Sequence, residues 1–361
     1  MKKSLIALAV LAASGAAMAQ SSVTMFGVVD TGVSYVKGSG GNSNYGLSTG
    51  NMSSSRLGFR GVEDLGGGLK AGFWLEGGFN ADAGDGKAAG ASGSGFEFAR
   101  RSTVSLMGNF GEVRLGRDET AAYNKLSAYS NFSVIGMGGF RGWNTTTGNG
   151  IRQNNMIAYF TPNFNGFTAG VNYAFGEKAG DSKNGRYFGG FAAYNNGPLS
   201  VTLGADRKNN ANEGKNGFLN AVKLDTYGLG ASYDFGVAKV NGLVLQAKEK
   251  SDATGVNTKQ TSYALGVSAP VGGVGVVKAQ YALYNAKNDV ASADGKAHQL
   301  SLGYEHNLSK RTAVYGYYSY LKNKSDRQLT LNNSNLGSGD GYAVGAGKAS
   351  NGIQVGIRHA F

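Results

Sequence analysis

Phe167-Thr168-Ala169-Gly170-Val171-Asn172-Tyr173-Ala174-Phe175 divides into two faces: Phe167, Ala169, Val171, Tyr173 and Phe175 on one, and Thr168, Gly170 and Asn172 on the other. A period of two is the side-chain period of an extended strand. One face is apolar and aromatic; the other is small or polar. The same division recurs upstream, where Val23, Met25, Val29, Val33 and Tyr35 oppose Thr24, Asp30, Gly32 and Ser34. It returns in Tyr227, Leu229, Ala231, Tyr233 and Phe235, and in the terminal Ile353, Val355, Ile357, His359 and Phe361.

Segments of this kind run from end to end without a linker. They predict strands near 22–36, 54–64, 69–80, 96–108, 112–118, 152–161, 167–176, 186–195, 198–207, 222–235, 237–248, 260–269, 274–287, 296–307, 311–322 and 350–361. Their connections alternate in length. Short ones include Gly66-Gly67-Gly68, Asn109-Phe110-Gly111 and Asn196-Gly197, whereas 37–53, 81–95, 119–151, 177–185, 208–221, 249–259, 288–295 and 323–349 are longer. An even number of strands with one tight rim and one loose rim predicts a 16-stranded antiparallel transmembrane β-barrel. A soluble sandwich also alternates, but a chain of this length would then divide into about two domains, and no boundary is visible. A barrel in hydrocarbon leaves no sheet edge unpaired, and both ends of the mature chain run directly into strands.

Met1-Lys2-Lys3, the apolar run Leu5 to Ala13 and the small-residue ending Ala17-Met18-Ala19 have the layout of a cleaved secretory signal peptide. The expected division is therefore a signal peptide at 1–19 and a barrel domain at 20–361. Loss of the two lysines lowers the formal net charge from +12 to +10. Cysteine is absent, which excludes disulfides and thiolate chemistry. With 60 glycines but only 3 prolines and no three-residue period, a collagen-like chain is excluded. No apolar run beyond the N-terminal segment is long enough for a spanning helix.

Sixteen strands enclose more space than side chains fill, so the polar face is expected to line an aqueous channel. Selectivity then needs a narrowing and charges at it. The longest connection, 119–151, is the expected constriction loop, folded into the lumen. From Thr120 to Ile151 it carries Lys125 and Arg141 and no Asp or Glu. In 56–60, Leu57 and Phe59 take the outer face, which sends Arg56 and Arg60 inward. Phe98, Val104 and Leu106 likewise send Arg101 inward, and parity would turn Arg100 outward with Phe98 unless a bulge intervenes. Arg117 sits where its strand turns into the loop, and Arg152 begins the next strand. Arginine in hydrocarbon costs about 2–4 kcal/mol, which favours the lumen or the aqueous rim for each. Glu76, Asp118 and Glu119 are the acids expected beside them.

Four separated stretches carry a family resemblance: Ser55-Arg56-Leu57-Gly58-Phe59-Arg60-Gly61-Val62-Glu63-Asp64-Leu65-Gly66-Gly67-Gly68-Leu69-Lys70-Ala71; Asn109-Phe110-Gly111-Glu112-Val113-Arg114-Leu115-Gly116-Arg117; Tyr159-Phe160-Thr161-Pro162-Asn163-Phe164-Asn165-Gly166-Phe167; and the ending Gly356-Ile357-Arg358-His359-Ala360-Phe361. Together they resemble the Gram-negative general porins of β-proteobacteria, and among these the anion-selective porins of the Comamonas and Delftia group. The resemblance implies a homotrimer in the outer membrane, a third loop folded into the barrel, and constriction arginines at Arg56, Arg100 and Arg152, with Arg117 matching general porins more broadly. It carries with it the expected company of outer-membrane lipids and lipopolysaccharide, small permeant anions such as phosphate, chloride or small carboxylates, and the barrel-assembly machinery, engaged through Phe361. Arg100 is where the resemblance and the parity count disagree.

No cofactor or metal is expected. Catalysis needs a nucleophile or activated water beside a base. His298, His306 and His359 all share the parity of outward apolar residues, which places them away from any lumenal pocket. A nucleic-acid partner is not expected either, because arginines on a lumenal face are beyond the reach of a duplex.

Overall fold

A computed structural model describes residues 22–39, 41, 43–86, 95–143, 151–209, 222–251, 255–288, 294–331 and 344–361. The expected signal peptide at 1–19 lies outside the described residues. The strands are β1 (Ser22–Gly38), β2 (Ser43–Thr49), β3 (Arg56–Gly66), β4 (Leu69–Gly78), β5 (Arg101–Gly108), β6 (Gly111–Glu119), β7 (Arg152–Phe160), β8 (Phe167–Ala174), β9 (Tyr187–Asn196), β10 (Leu199–Asn209), β11 (Val222–Asp234), β12 (Lys239–Ser251), β13 (Asn257–Val271), β14 (Gly275–Asn288), β15 (Gly295–Asn307), β16 (Thr312–Ser325) and β17 (Ala349–Ala360). From β3 onward each pairs antiparallel with its chain neighbour.

The ring closes through β1. On one edge Val28–Gly38 faces Ser350–Ala360 of β17, and Gly27 and Phe361 exchange backbone hydrogen bonds of 3.0 and 3.1 Å. On the other edge β1 is shared: Thr31–Lys37 pairs with β2 and Ser22–Val28 with β3. β2 and β3 are therefore two halves of one wall, so the named strands make a closed sixteen-walled barrel. The segment between the halves is held by Asp30, whose carboxylate accepts the backbone N–H groups of Asn51, Met52 and Ser53 and the Tyr315 hydroxyl at 2.6 Å.

Two sequence expectations change at this level. The loop expected at 37–53 contains β2, whose Tyr45 and Leu47 project outward among Ser, Asn and Gly residues that dilute the alternation. The strand expected over 96–108 starts at Arg101, after the Arg100 N–H donates to the Glu76 carbonyl at 3.1 Å. The short turns are as read. Gly66, Gly67 and Gly68 have φ of +85°, +61° and +82°, three successive left-handed residues that only glycine adopts cheaply.

Outward residues such as Val33, Leu203, Leu229, Leu265 and Val355 leave an exposed apolar belt around the barrel. A soluble sheet would bury such a belt, whereas a barrel in lipid needs it. The opposite, inner face is where the long connection after β6 lies. Thr120 accepts the Tyr123 N–H and caps a one-turn helix, α1 (Ala121–Leu126). Leu126 then fills a trough floored by Gly204 and Gly228, and Tyr129 covers Gly230. A Cβ at Gly228 would come within 2.3 Å of Leu126 Cδ1, and one at Gly230 within 2.2 Å of the Tyr129 ring.

Beyond Tyr129 the segment follows the inner wall. Gln280 Oε1 accepts from the Ser130 hydroxyl and the Asn131 N–H at 3.0 and 2.8 Å. Gln354 Oε1 accepts the Met137 N–H at 3.0 Å, while Gln299 Nε2 donates to the Met137 carbonyl at 3.1 Å. Phe132 meets Tyr317 edge-on, and Phe140 packs on Tyr284. This cover explains why β12 and β16 are apolar on both faces. Leu243, Leu245 and Leu321 face inward but are buried among residues of the inner segment.

Candidate pore constriction

The wall formed by β3–β7, across the bore from the docked segment, carries a concentration of arginines. Glu76 on β4 is the hub of one group. Its carboxylate accepts from Arg100 Nε at 2.6 Å, accepts from Trp74 Nε1 at 3.2 Å, and lies 3.8 Å from Arg56 Nε. Arg56 also donates to Ser53 Oγ and the Ser54 carbonyl, at 3.2 and 3.0 Å. Arg152 donates to Glu119 at 2.7 Å and to the Arg100 carbonyl at 3.0 Å. The guanidiniums of Arg56, Arg100 and Arg152 thus repel one another around two carboxylates.

Tyr123, on α1, reports the same environment from the loop side. Burial, with the negative charge of Glu119 adding to it, pushes its phenol up to about 12 against the opposing pull of Arg152 and Arg100. Its ring meets Trp143 edge-on at 5.1 Å.

A second group lies along β5 and β6. Asp118 accepts from Arg114 at 2.6 Å and lies 3.5 Å from Arg101. Glu112 accepts two further bonds from Arg114, each of 2.9 Å, and one from the Ser105 hydroxyl at 2.7 Å. Trp74 is held between two cations, with Arg60 at 5.1 Å and Arg101 at 4.5 Å from its centroid, and Arg60 also lies 5.2 Å from Phe26. Cation–π contacts are worth about 0.5–2 kcal/mol depending on desolvation, and unlike a carboxylate they leave the cation's net charge uncancelled.

Arg100 and Arg101 do not oppose each other as parity suggests. Arg100 precedes the first paired residue of β5, so the two-residue alternation does not reach it, and both arginines engage carboxylates of this wall. Arg117 sits at a register shift between Gly116, with φ of +125°, and Asp118. It donates to the Ala99 carbonyl at 2.6 Å and to Asn154. The structure therefore brings Arg56, Arg60, Arg100, Arg101, Arg117 and Arg152 onto one wall, together with Glu76, Asp118 and Glu119.

Lys125 and Arg141 lie apart from that wall. Lys125 Nζ is 5.0 Å from the Phe191 centroid, and the Arg141 N–H donates to the Tyr284 hydroxyl at 3.0 Å. Near Arg141 is Arg327, which donates to Gln260 Oε1 at 2.7 Å. Burial first, and the charge of Arg141 second, hold the Arg327 guanidinium below the usual arginine range. Among the described residues no His, Asp and Glu side chains group as a metal site. The histidines bond to outward neighbours: His298 to Tyr281, His306 to Tyr304 and His359 to Thr312.

Residues 5–326 match the family of Gram-negative porins. Outer membrane porin protein 32 of Delftia acidovorans is 58% identical to the chain, and the alignment covers all of both. The chain belongs to the Gram-negative porins. An outer membrane porin protein of Bordetella pertussis is 34% identical to this porin, again over the whole of both chains. The solved anion-selective porin from Comamonas acidovorans superposes with a TM-score of 0.81 at 54% identity, covering 95% of this porin and 100% of that chain. The barrel is accordingly that of a channel protein of the bacterial outer membrane.

Sequence reasoning missed Arg114, Glu112 and Arg327. For the first two the signal was present, since outward Val113 and Leu115 leave Glu112 and Arg114 inward. Arg327 follows β16 in a stretch without alternation, so nothing local assigns it to the bore.

Proposed function

We propose that this porin is a passive, anion-preferring channel for small hydrophilic solutes. The observation that carries the reading is the surplus of fixed cations on one wall of the bore: seven arginines on or beside β3–β7, counting Arg114, against the five carboxylates of Glu76, Glu97, Glu112, Asp118 and Glu119. The docked segment facing this wall adds Lys125 and Arg141 and narrows the passage. A positive potential in a narrow aqueous zone raises the local concentration of anions, and because each carboxylate already interacts with an arginine, no compact cation site competes. The solved porin from Comamonas acidovorans that superposes on this chain is described as anion-selective, which supports the same reading. Permeants of the chloride, phosphate and small carboxylate class fit it. No catalytic chemistry is proposed.

Export with cleavage after Ala19, assembly as a homotrimer and recognition of the terminal Phe361 by the insertion machinery complete the proposal. The test is the reversal potential of the purified porin in a planar bilayer under a salt gradient. Anion preference is expected, and Arg56→Glu or Arg152→Glu should each reduce or invert it. A cation-selective wild type would overturn the selectivity, and folded protein that conducts nothing would overturn the channel.

A further inference from the structure

The barrel carries a second basic site, on its outer surface, that ion passage does not use. At the long-loop end of β10–β14 the registers set Arg207, Asp225, Lys248, Lys259 and Lys287 directly opposite one another across five adjacent strands. All five have the parity of outward residues: Leu203, Leu229, Val244 and Tyr263 lie on the same face of their strands, whereas the intervening Asp206, Thr226, Ala247 and Gln260 are buried. Asp225, the one acid of the row, is occupied by Arg207 through bonds of 2.5 and 2.8 Å. Lys248, Lys259 and Lys287 are left as three consecutive cross-strand neighbours, and among the described residues none of them has a carboxylate at ion-pair distance. Adjacent strands are about 4.8 Å apart, and like charges placed directly opposite destabilise a sheet. One row further out Lys223 faces Lys250.

These residues, with the further cations Lys183, Arg186 and Lys250 and the acids Glu249 and Asp294, line a cavity of 910 Å³ in which basic residues outnumber acidic ones. Immediately below it on the same strands is a groove of 860 Å³ lined by Phe188, Leu203, Leu229, Val244 and Tyr263. Tyr227 stands at the junction, 5.8 Å beneath Lys248 Nζ. A charged cradle stacked on an apolar groove matches an amphiphile whose anionic head meets the lysines and whose acyl chains run down the strands. Because the long loops mark the outer rim, the leaflet concerned is the outer one. We propose that Lys248, Lys259 and Lys287 bind the phosphate-bearing headgroup of an outer-leaflet lipid, with its chains seated on β9–β13. The proposal rests on the outer-membrane barrel and is independent of the selectivity of the bore.

The test uses the folded full-length porin in detergent with three probes: bisphosphorylated lipid A, the same lipid stripped of phosphate, and inorganic pyrophosphate. Native mass spectrometry counts adducts per protomer. Wild type should retain bisphosphorylated lipid A at least about tenfold better than the triple variant Lys248→Gln, Lys259→Gln, Lys287→Gln, and should retain the stripped lipid poorly. The charge-keeping triple variant Lys248→Arg, Lys259→Arg, Lys287→Arg should bind as wild type does, which keeps the test informative if the Gln variant folds badly. Equal retention by wild type and the Gln variant, or equal retention of both lipids, would overturn the proposal. Pyrophosphate held as firmly as the lipid would make this a free-anion site, and a changed subunit count in the Gln variant would make it an interface between copies; either result overturns it. Conductance is measured alongside: a conducting wild type that ignores lipid sinks this inference alone.

Discussion

Glu76 illustrates how single charges act in this bore. It is the one carboxylate shared by Arg56 and Arg100, so it both holds those guanidiniums in place and offsets part of their charge. In an aqueous bore a unit charge about 6 Å from a passing ion is worth ~0.7 kcal/mol, a factor of about three in local concentration. Glu76→Gln should therefore raise the local anion concentration and lower the local cation concentration by about that factor each, a change of roughly tenfold in the anion-to-cation permeability ratio, read as a shift in reversal potential. Unchanged selectivity would mean that Glu76 lies outside the path of the permeating ions. The stacked Arg60–Trp74–Arg101 arrangement makes the complementary point: aromatic contact itself cancels no charge, and of the two cations only Arg101 also has a carboxylate, Asp118, at ion-pair distance among the described residues.

At the scale of elements, the docked segment depends on what the wall lacks. Gly228 and Gly230 admit Leu126 and Tyr129 because they carry no side chains. Gly230→Val should cost about 1–3 kcal/mol in overpacking and move the segment off β11, seen as an altered single-channel conductance with the barrel still folded. Tyr123 gives the same element a pH response. Its folded-state value of about 12 lies above the ordinary 10.0 of tyrosine, so its contribution is complete below pH 10 and is lost as the pH rises towards 12. Conductance noise or protease access at the segment should increase in that window, and Tyr123→Phe should remove the dependence. Much of this level was legible in the sequence. Each strand from β6 to β17 lies within a few residues of its alternating segment, because lipid outside and water inside impose period two. β2 escaped because two outward apolar residues in seven are too few to stand out. The faces of β12 and β16 escaped because a distant segment covers them, and no local pattern encodes that.

For the whole molecule, closure is the decisive event. The seam joins the first strand to the last, with eleven residues of β1 from Val28 to Gly38 facing β17 and the Gly27–Phe361 exchange at its end. Removing residues 357–361 strips the inner end of that seam and exposes unpaired backbone in hydrocarbon, where each group costs several kcal/mol. The truncated chain should lose the compact, heat-modifiable band on unheated gels; a wild-type band would show that the seam is dispensable. Closure was readable from the alternating segments expected at 22–36 and 350–361, the first and last of the series. The wall of arginines was readable only in part, since parity fails where pairing stops at Arg100 and where a bulge intervenes at Arg117.

The trough that receives Leu126 and Tyr129 also carries a chronology. Its floor comes from β10 and β11, and the anchors beyond it are later still: Met137 bonds to Gln354, 217 residues downstream. Contacts of such separation form late, because the chain between them must first be ordered. A polypeptide emerging N-terminus first therefore cannot complete these anchors until β17 has arrived. The segment that narrows the bore is thus fully secured only in a barrel that is already whole.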